Sequence, residues 1–279
     1  MKITAYAKIN LTLDIPGVRP DGYHAISSVM APVSLWDEIT IEKSNTLFFD
    51  CNKKELWTAD NLWVRAAKLF FATVNISPSV AIYLQKNIPY PAGLGGGSAD
   101  AAAVLLGLNE IYGFPLDKKI LFALSEQLGS DVPFCLLAKP ALCEGRGEIL
   151  TPLEGVPELD IVIAIGESRL PTPAVFRSYD NANLPPRCDT ARFLSCLTNN
   201  DKSNLVSSLG NAFEPVTDIL APETALLREK LSSLGALNSR LSGSGPSVYG
   251  VFENAEKAHL AAKALKNQGY FAVSCKIIN

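Results

Sequence analysis

Apolar and polar positions alternate in ITAYAKINLTLDI (3–15), in DEITIEK (37–43) and in SVAIYLQK (79–86). A period of two places alternate side chains on one face, so each stretch predicts a strand. From Asn61 the period lengthens, with Leu62, Ala66, Leu69 and Phe70 on one side of a predicted helix. A longer helix is predicted after the glycines at 93–97, where Ala101, Val104, Leu105, Leu108 and Ile111 recur at three- and four-residue steps behind Ser98 as N-cap. LDKKILFALSEQLG (116–129) predicts another, closed by Gly129 in the place of a left-handed C-cap. TPLEGVPELD (151–160) reads as a proline-spaced boundary, DIVIAIG (160–166) as a buried strand, and LPTPAVF (170–176) and NLPPRC (183–188) as loop-rich. The end reads strand, helix, strand: PSVYGVF, then NAEKAHLAAKALKNQG capped by Gly269, then YFAVSCKII, a β-α-β unit. Grouped strands rather than strict alternation give an α+β class, with two layered domains flanking a cleft and divided as 1–154 and 155–279.

Composition narrows the function. With 279 residues and 48% hydrophobic content the chain fills a sizeable core. A net charge of −3 and a pI near 5.5, without a dense Lys/Arg cluster, argue against a nucleic-acid partner. The start is interrupted by Lys8, Asn10 and Asp14 before any apolar core of signal length, and no apolar run approaches ~20 residues, so neither export nor a membrane span is expected and the protein is read as cytoplasmic. Six scattered cysteines without a C-x-x-C pair, and two histidines, His24 and His259, argue against zinc and for reduced, structural thiols.

The stretch PYPAGLGGGSADAAA carries the chemistry. Gly93, Gly95, Gly96 and Gly97 permit positive φ and close approach of a ligand to the backbone. The N–H groups and positive dipole end of the following helix complete an anion site suited to phosphate, although glycines before a helix also form plain turns. The Walker pattern fails, because Gly97 is followed by Ser98 and Ala99 rather than by Lys-Ser/Thr. The dinucleotide fingerprint fails too, its third glycine falling on Ser98 or Asp100.

Four motifs in one order, AKINLTLDIPGVRPDGYH, PAGLGGGSADAAA, LGSDVPF and LSGSGPSVYGVF, resemble those of the GHMP kinases over nearly the whole chain. These enzymes use small-molecule hydroxyls as phosphoryl acceptors. The resemblance implies a two-domain α+β architecture: an N-terminal ribosomal-protein-like nucleotide-binding domain and a C-terminal α/β-layered acceptor domain, with the active-site cleft between them. It assigns Pro89, Tyr90, Pro91, Ala92, Gly93, Leu94, Gly95, Gly96, Gly97, Ser98 and Ala99 to the triphosphate of ATP, with Mg2+ as its companion ion. The family has two hydroxyl residues after the last glycine; here the second is Ala99, which leaves the magnesium ligands unassigned. Asn61 and Lys86 match positions near adenine, with N-cap and solvated-lysine alternatives respectively.

The same resemblance makes Lys8 and Asp131 the pair at the reacting hydroxyl, the carboxylate aligning the alcohol and taking its proton late, the ammonium keeping it ionised. From the residues alone, Asp131 could equally cap a helix beginning at Val132, and Lys8 could be a surface lysine; but an inward lysine on so apolar a strand needs an anionic partner. Asn10, two residues on and so on the same strand face, could bond the acceptor's hydroxyls. Tyr23, His24, Thr172 and Phe176 offer two rings and polar edges for a flat pyrimidine, the alternative being a turn and core packing. The implied acceptor is therefore a small molecule bearing a cytidine diphosphate, and the protein a monomer or homodimer. Leu241 to Pro246 matches the superfamily's third motif and is expected to close the acceptor side, or to be a hairpin-like turn. Kinases of homoserine, mevalonate or a sugar, and a non-catalytic RNA-binding or scaffold protein, are the rival readings.

Overall fold

The computed structural model describes residues 1–182 and 188–279, so positions 183–187 of the expected loop NLPPRC lie outside the described residues. The elements in chain order are β1 Lys2–Asn10, β2 Thr12–Val18, β3 His24–Lys43, β4 Phe48–Cys51, α1 Leu62–Val74, β5 Val80–Gln85, α2 Gly96–Ile111, α3 Lys118–Leu128 and α4 Val132–Leu137. They continue with β6 Ala141–Glu144, β7 Ile149–Pro152, β8 Asp160–Ile165, α5 Thr172–Ala182, α6 Thr190–Thr198, α7 Lys202–Ser207 and β9 Gly210–Asn211. The last are α8 Glu214–Leu220, α9 Glu223–Ser233, β10 Asn238–Leu241, β11 Val248–Phe252, α10 Ala255–Asn267 and β12 Phe271–Lys276. Two compact units result, one of residues 1–8, 35–90 and 95–138, the other of 9–34, 91–94 and 139–279.

In the first unit β5 pairs antiparallel with β3, from Glu38↔Gln85 to Lys43↔Val80, and parallel with β4. Its core joins Ile39, Ile41, Ile82 and Leu84 of the strands to Trp63, Phe70, Val104, Leu105 and Leu108 of α1 and α2. Helix α2 lies close on the strands because Gly107 faces them: a β-carbon there would meet Ile3 Cδ1 at 2.5 Å and Ile41 Cδ1 at 2.7 Å. Such contact leaves no room for a side chain, so the glycine sets how near the helix can lie. Asp117 caps α3 by accepting from Ile120 N at 2.8 Å. Gly129 does stand at the C-cap of α3, but with φ 171 and ψ 157 it is extended rather than left-handed. The chain thus leaves α3 straight and turns directly into α4.

In the second unit β8 is flanked antiparallel by β11 and β12 in a sheet of order β10-β11-β8-β12. The terminal strand-helix-strand is therefore split, β8 lying between the two strands that α10 joins. Asn254 caps α10 through Lys257 N, and Gly269 ends it at φ +90 as expected. LPTPAVF is not a loop: Thr172 opens α5. Proline in a first helical turn lacks an N–H that would have had no partner there, so Pro173 is compatible with the helix. Val175 packs with Val162, Phe213 and Leu241 in this unit's core. These sheets and helices make the α+β class plain.

Candidate active site

The glycine loop is divided between the units, Pro91–Leu94 in the second and the rest in the first. In the first, the N-cap of α2 is Gly95, left-handed at φ +67, and no side chain caps the helix. Ser98, expected as N-cap, lies inside the first turn instead. The N–H groups of Gly96, Gly97 and Ser98 therefore have no helical acceptor, and together with the dipole they favour an anion. Gly96 lacks the positive φ expected of it and is buried, where a β-carbon would come 2.9 Å from Lys86 Nζ and 3.0 Å from Ile88 Cγ2. Substitution there would disturb packing before it disturbed a ligand. At Gly97 the nearest atom to an added β-carbon is Leu62 Cδ1 at 3.9 Å, so Gly97→Ala is the cleaner probe of the loop.

Lys8 runs beneath this turn, its Cγ 2.8 Å from where a β-carbon of Gly95 would sit. Its side chain is 4% exposed, and its Nζ lies 3.5 Å from Asp131 Oδ2. Asp131 holds the N-cap position of α4, and its carbonyl accepts from Cys135 N at 3.1 Å, but its carboxylate caps nothing. With 34% of the side chain exposed, that carboxylate meets Lys8 on one side and solvent on the other. Strand β1 and helix α4 thus bring together the two residues on which the catalytic expectation rested.

Lys86 is not the solvated lysine of the alternative reading: its Nζ is sealed between Asp37 Oδ2 at 2.5 Å and Asp100 Oδ2 at 2.6 Å. Burial alone would push its ammonium down; the two carboxylates outweigh that and hold it above its ordinary value. Burial dominates at Asp100, whose carboxyl is raised well above the usual range. The main chain of Lys86 is engaged as well: its N–H donates to Asn52 Oδ1 at 2.8 Å and its carbonyl accepts from Asn52 Nδ2 at 3.2 Å. Asn61 occupies the N-cap position of α1, yet its amide turns back to Leu56 O at 2.9 Å instead of capping. Tyr90 Oη donates to Glu55 Oε1 at 2.5 Å.

The remaining expected residues belong to the second unit. Asn10, fully buried at the end of β1, donates to Ser28 Oγ at 2.8 Å. His24 Nε2 lies 2.6 Å from Asp180 Oδ1, and its ring rests on Phe176 at 4.7 Å and 35°. Phe176 also meets Phe213 edge-on at 4.8 Å, so part of it serves the core. Tyr23 is 59% exposed and carries the Arg146 guanidinium over its ring at 5.4 Å. Arg146 and Asp180 were not foreseen: no spacing in the chain links either to DGYH. Thr172 Oγ1 is 2.8 Å from Ser244 Oγ. The late glycine loop joins β10 to β11 as a hairpin and also grips the early one: Ser242 Oγ donates to Gly93 O at 3.2 Å and Ser247 Oγ to Ala92 O at 2.5 Å. Gly93, at φ +74, would place a β-carbon 2.5 Å from Ser242 O, so two motifs far apart in sequence fit only through a bare backbone.

Two family profiles match, the GHMP kinases N terminal domain over residues 61–139 and the GHMP kinases C terminal domain over 193–270. The chain belongs to the GHMP kinase family and is a phosphotransferase. A 4-diphosphocytidyl-2-C-methyl-D-erythritol kinase of Caldicellulosiruptor saccharolyticus is 39% identical over 95% of this chain and 93% of its own. A crystal structure of 4-(cytidine 5'-diphospho)-2C-methyl-D-erythritol kinase is similar at a TM-score of 0.87 and 36% identity, covering both chains completely. Homoserine kinase of Cytophaga hutchinsonii, with a TM-score of 0.74 and 18% identity over 100% of this chain and 94% of its own, shares the fold alone. Among the described residues no group of three or more His, Cys, Asp or Glu is placed to hold a metal ion, and no helix is long and apolar enough to cross a membrane.

Proposed function

We propose that the protein transfers the γ-phosphoryl group of ATP to the 2-hydroxyl of 4-diphosphocytidyl-2-C-methyl-D-erythritol, a step of the non-mevalonate route to isoprenoid precursors. The observation that carries the mechanism is the Lys8–Asp131 pair: a buried ammonium 3.5 Å from a carboxylate that is partly exposed and does not cap its own helix. Asp131 accepts a hydrogen bond from the acceptor's hydroxyl, aligns its oxygen in line with the phosphorus and takes the proton late, as a loose phosphoryl-transfer transition state requires. Lys8 orients Asp131.

The triphosphate is bound by the uncapped first turn of α2 and its glycines. Mg2+, held chiefly by the nucleotide's phosphates and water with Ser98 as the hydroxyl of this turn, would neutralise charge on the transferred group. Tyr23, His24, Phe176 and Thr172 serve the cytidine, and Asn10 the acceptor's alcohol. In sequence the nucleotide motifs fall within 1–154 and the C-terminal kinase domain within 155–279. The relatives' names support the cytidine-bearing acceptor. ATP consumption across a panel of alcohols, with the phosphate position in the product assigned by NMR, tests the reading. Efficient turnover of homoserine, mevalonate or free methylerythritol would overturn it.

A further inference from the structure

A buried cluster that this phosphoryl-transfer chemistry does not use lies under the glycine loop. Asp37 on β3, Lys86 after β5 and Asp100 in α2 are 0%, 5% and 1% exposed. Asp37 divides its oxygens: Oδ1 accepts from Asn87 N at 2.5 Å and Ile88 N at 2.8 Å, while Oδ2 takes the Lys86 ammonium. Asp100 Oδ2 accepts from the same ammonium, and its Oδ1 has no partner among the described residues. Buried charge clusters seldom add stability over apolar packing, so this one calls for a geometric reason.

The geometry supplies it. Lys86, Asn87 and Ile88 lead into the loop, and Gly96 to Asp100 lead out of it. One ammonium ties both stems together, and Asp37 fastens the incoming stem to β3. Gly96 lies directly over Lys86 Nζ and Gly95 directly over the Lys8 stem, at 2.9 and 2.8 Å from their would-be β-carbons. Consecutive glycines thus rest on two lysines, one facing Asp131 and one locked below. The first turn of α2 cannot lift or slide without parting a buried ion pair.

We propose that Lys86, clamped by Asp37 and Asp100, is a positioning residue for the nucleotide's triphosphate: it sets the height of the first turn of α2, hence the N–H groups of Gly96, Gly97 and Ser98 and the seat of Gly95 on Lys8. The Lys86 ammonium is spent on the two aspartates. The proposal rests on the reading that this loop takes the triphosphate.

The test combines calorimetric binding of ATP, steady-state kinetics and melting temperature in Lys86→Met and Asp100→Asn. A displaced first turn should weaken ATP binding by about ten- to a hundredfold in Lys86→Met, in line with the cost of misplacing a bound group by about 1 Å. Asp100→Asn keeps an acceptor for the ammonium and should lose less. The KM for the acceptor should stay unchanged in both. If Lys86→Met does not fold, Asp100→Asn decides alone. Folded variants that bind ATP as tightly as wild type, with only the melting temperature lowered, would overturn the proposal, as would ATP and acceptor KM rising together. Wild-type protein that bound no ATP would remove the loop reading and this proposal at once, whereas variants matching an ATP-binding wild type would remove this proposal only.

Discussion

Lys8 and Lys86 lie under neighbouring glycines of one loop, and each faces aspartate, yet their surroundings differ in kind. Lys8 faces the Asp131 carboxylate at 3.5 Å, and that carboxylate keeps a third of its side-chain surface. Lys86 meets two, at 2.5 and 2.6 Å, with all three groups sealed. A carboxylate at an open edge, as Asp131 is, can still act on a third molecule. A charge whose partners are all internal can only hold its surroundings in place. The same contrast separates Tyr23, exposed and stacked by Arg146, from Phe176, which already leans on Phe213.

The comparison breaks most sharply at Asp131. Asp131→Asn keeps the size and loses the base, so kcat should fall by about two to four powers of ten, or roughly 3 to 5 kcal/mol of barrier. ATP affinity and Tm should barely move, because the carboxylate supports no helix cap. Turnover within a few-fold of wild type would place Asp131 on the structural side.

Stability should invert the order of the two lysines. Lys86→Met leaves two carboxylates buried without a cation, a loss of about 3 to 5 kcal/mol by analogy with other broken buried pairs. Lys8→Met leaves one partly solvated carboxylate and should cost far less. Denaturant unfolding of the two variants side by side measures this, and equal losses would show that the two lysines support the fold alike.

Tyr23→Ala removes a ring that the fold does not need, so loss of ~1 to 3 kcal/mol of stacking should appear in the acceptor's KM alone, about five- to a hundredfold. Phe176→Ala should raise the same KM but also lower Tm, since its contact with Phe213 goes too. A Tm drop for Tyr23→Ala, or a matching rise in the KM for ATP, would refute the division of labour.

The smallest effect is a pH slope. Burial raises the Asp100 carboxyl above its unfolded value of 3.8, so the folded protein holds this proton to higher pH than the unfolded chain does. Its contribution to stability is complete below that value and is lost as pH rises through the raised one. Asp100→Asn lacks this loss, so its Tm relative to wild type should climb as pH is raised from about 4. A difference that stayed constant with pH would count against an ionising Asp100.

Much of this was legible in the chain. The alternation of DEITIEK and SVAIYLQK, the periodic face of α2 and the glycine that ends α10 are local patterns whose physics lies in a few neighbouring residues. The first half of β3 was not legible, because Val29 to Val33 are buried whichever way they point and carry no alternation. Helix α5 was hidden by prolines that read as loop until their place in a first turn was known.

The sequence by itself determined the alternating strands, the glycine loop with its helix and, through the motifs it shares with a family, the candidate pair Lys8 and Asp131, since a motif constrains residue types at short spacing. Only the tertiary structure decided what each polar group has left to offer. Asp37 reaches Lys86 across 49 residues of chain, Asp180 reaches His24 across 156, and Ser242 grips Gly93 across 149. Whether a lysine is locked or poised depends on how many carboxylates such long closures deliver to it, and that number is not a property of the residues beside it.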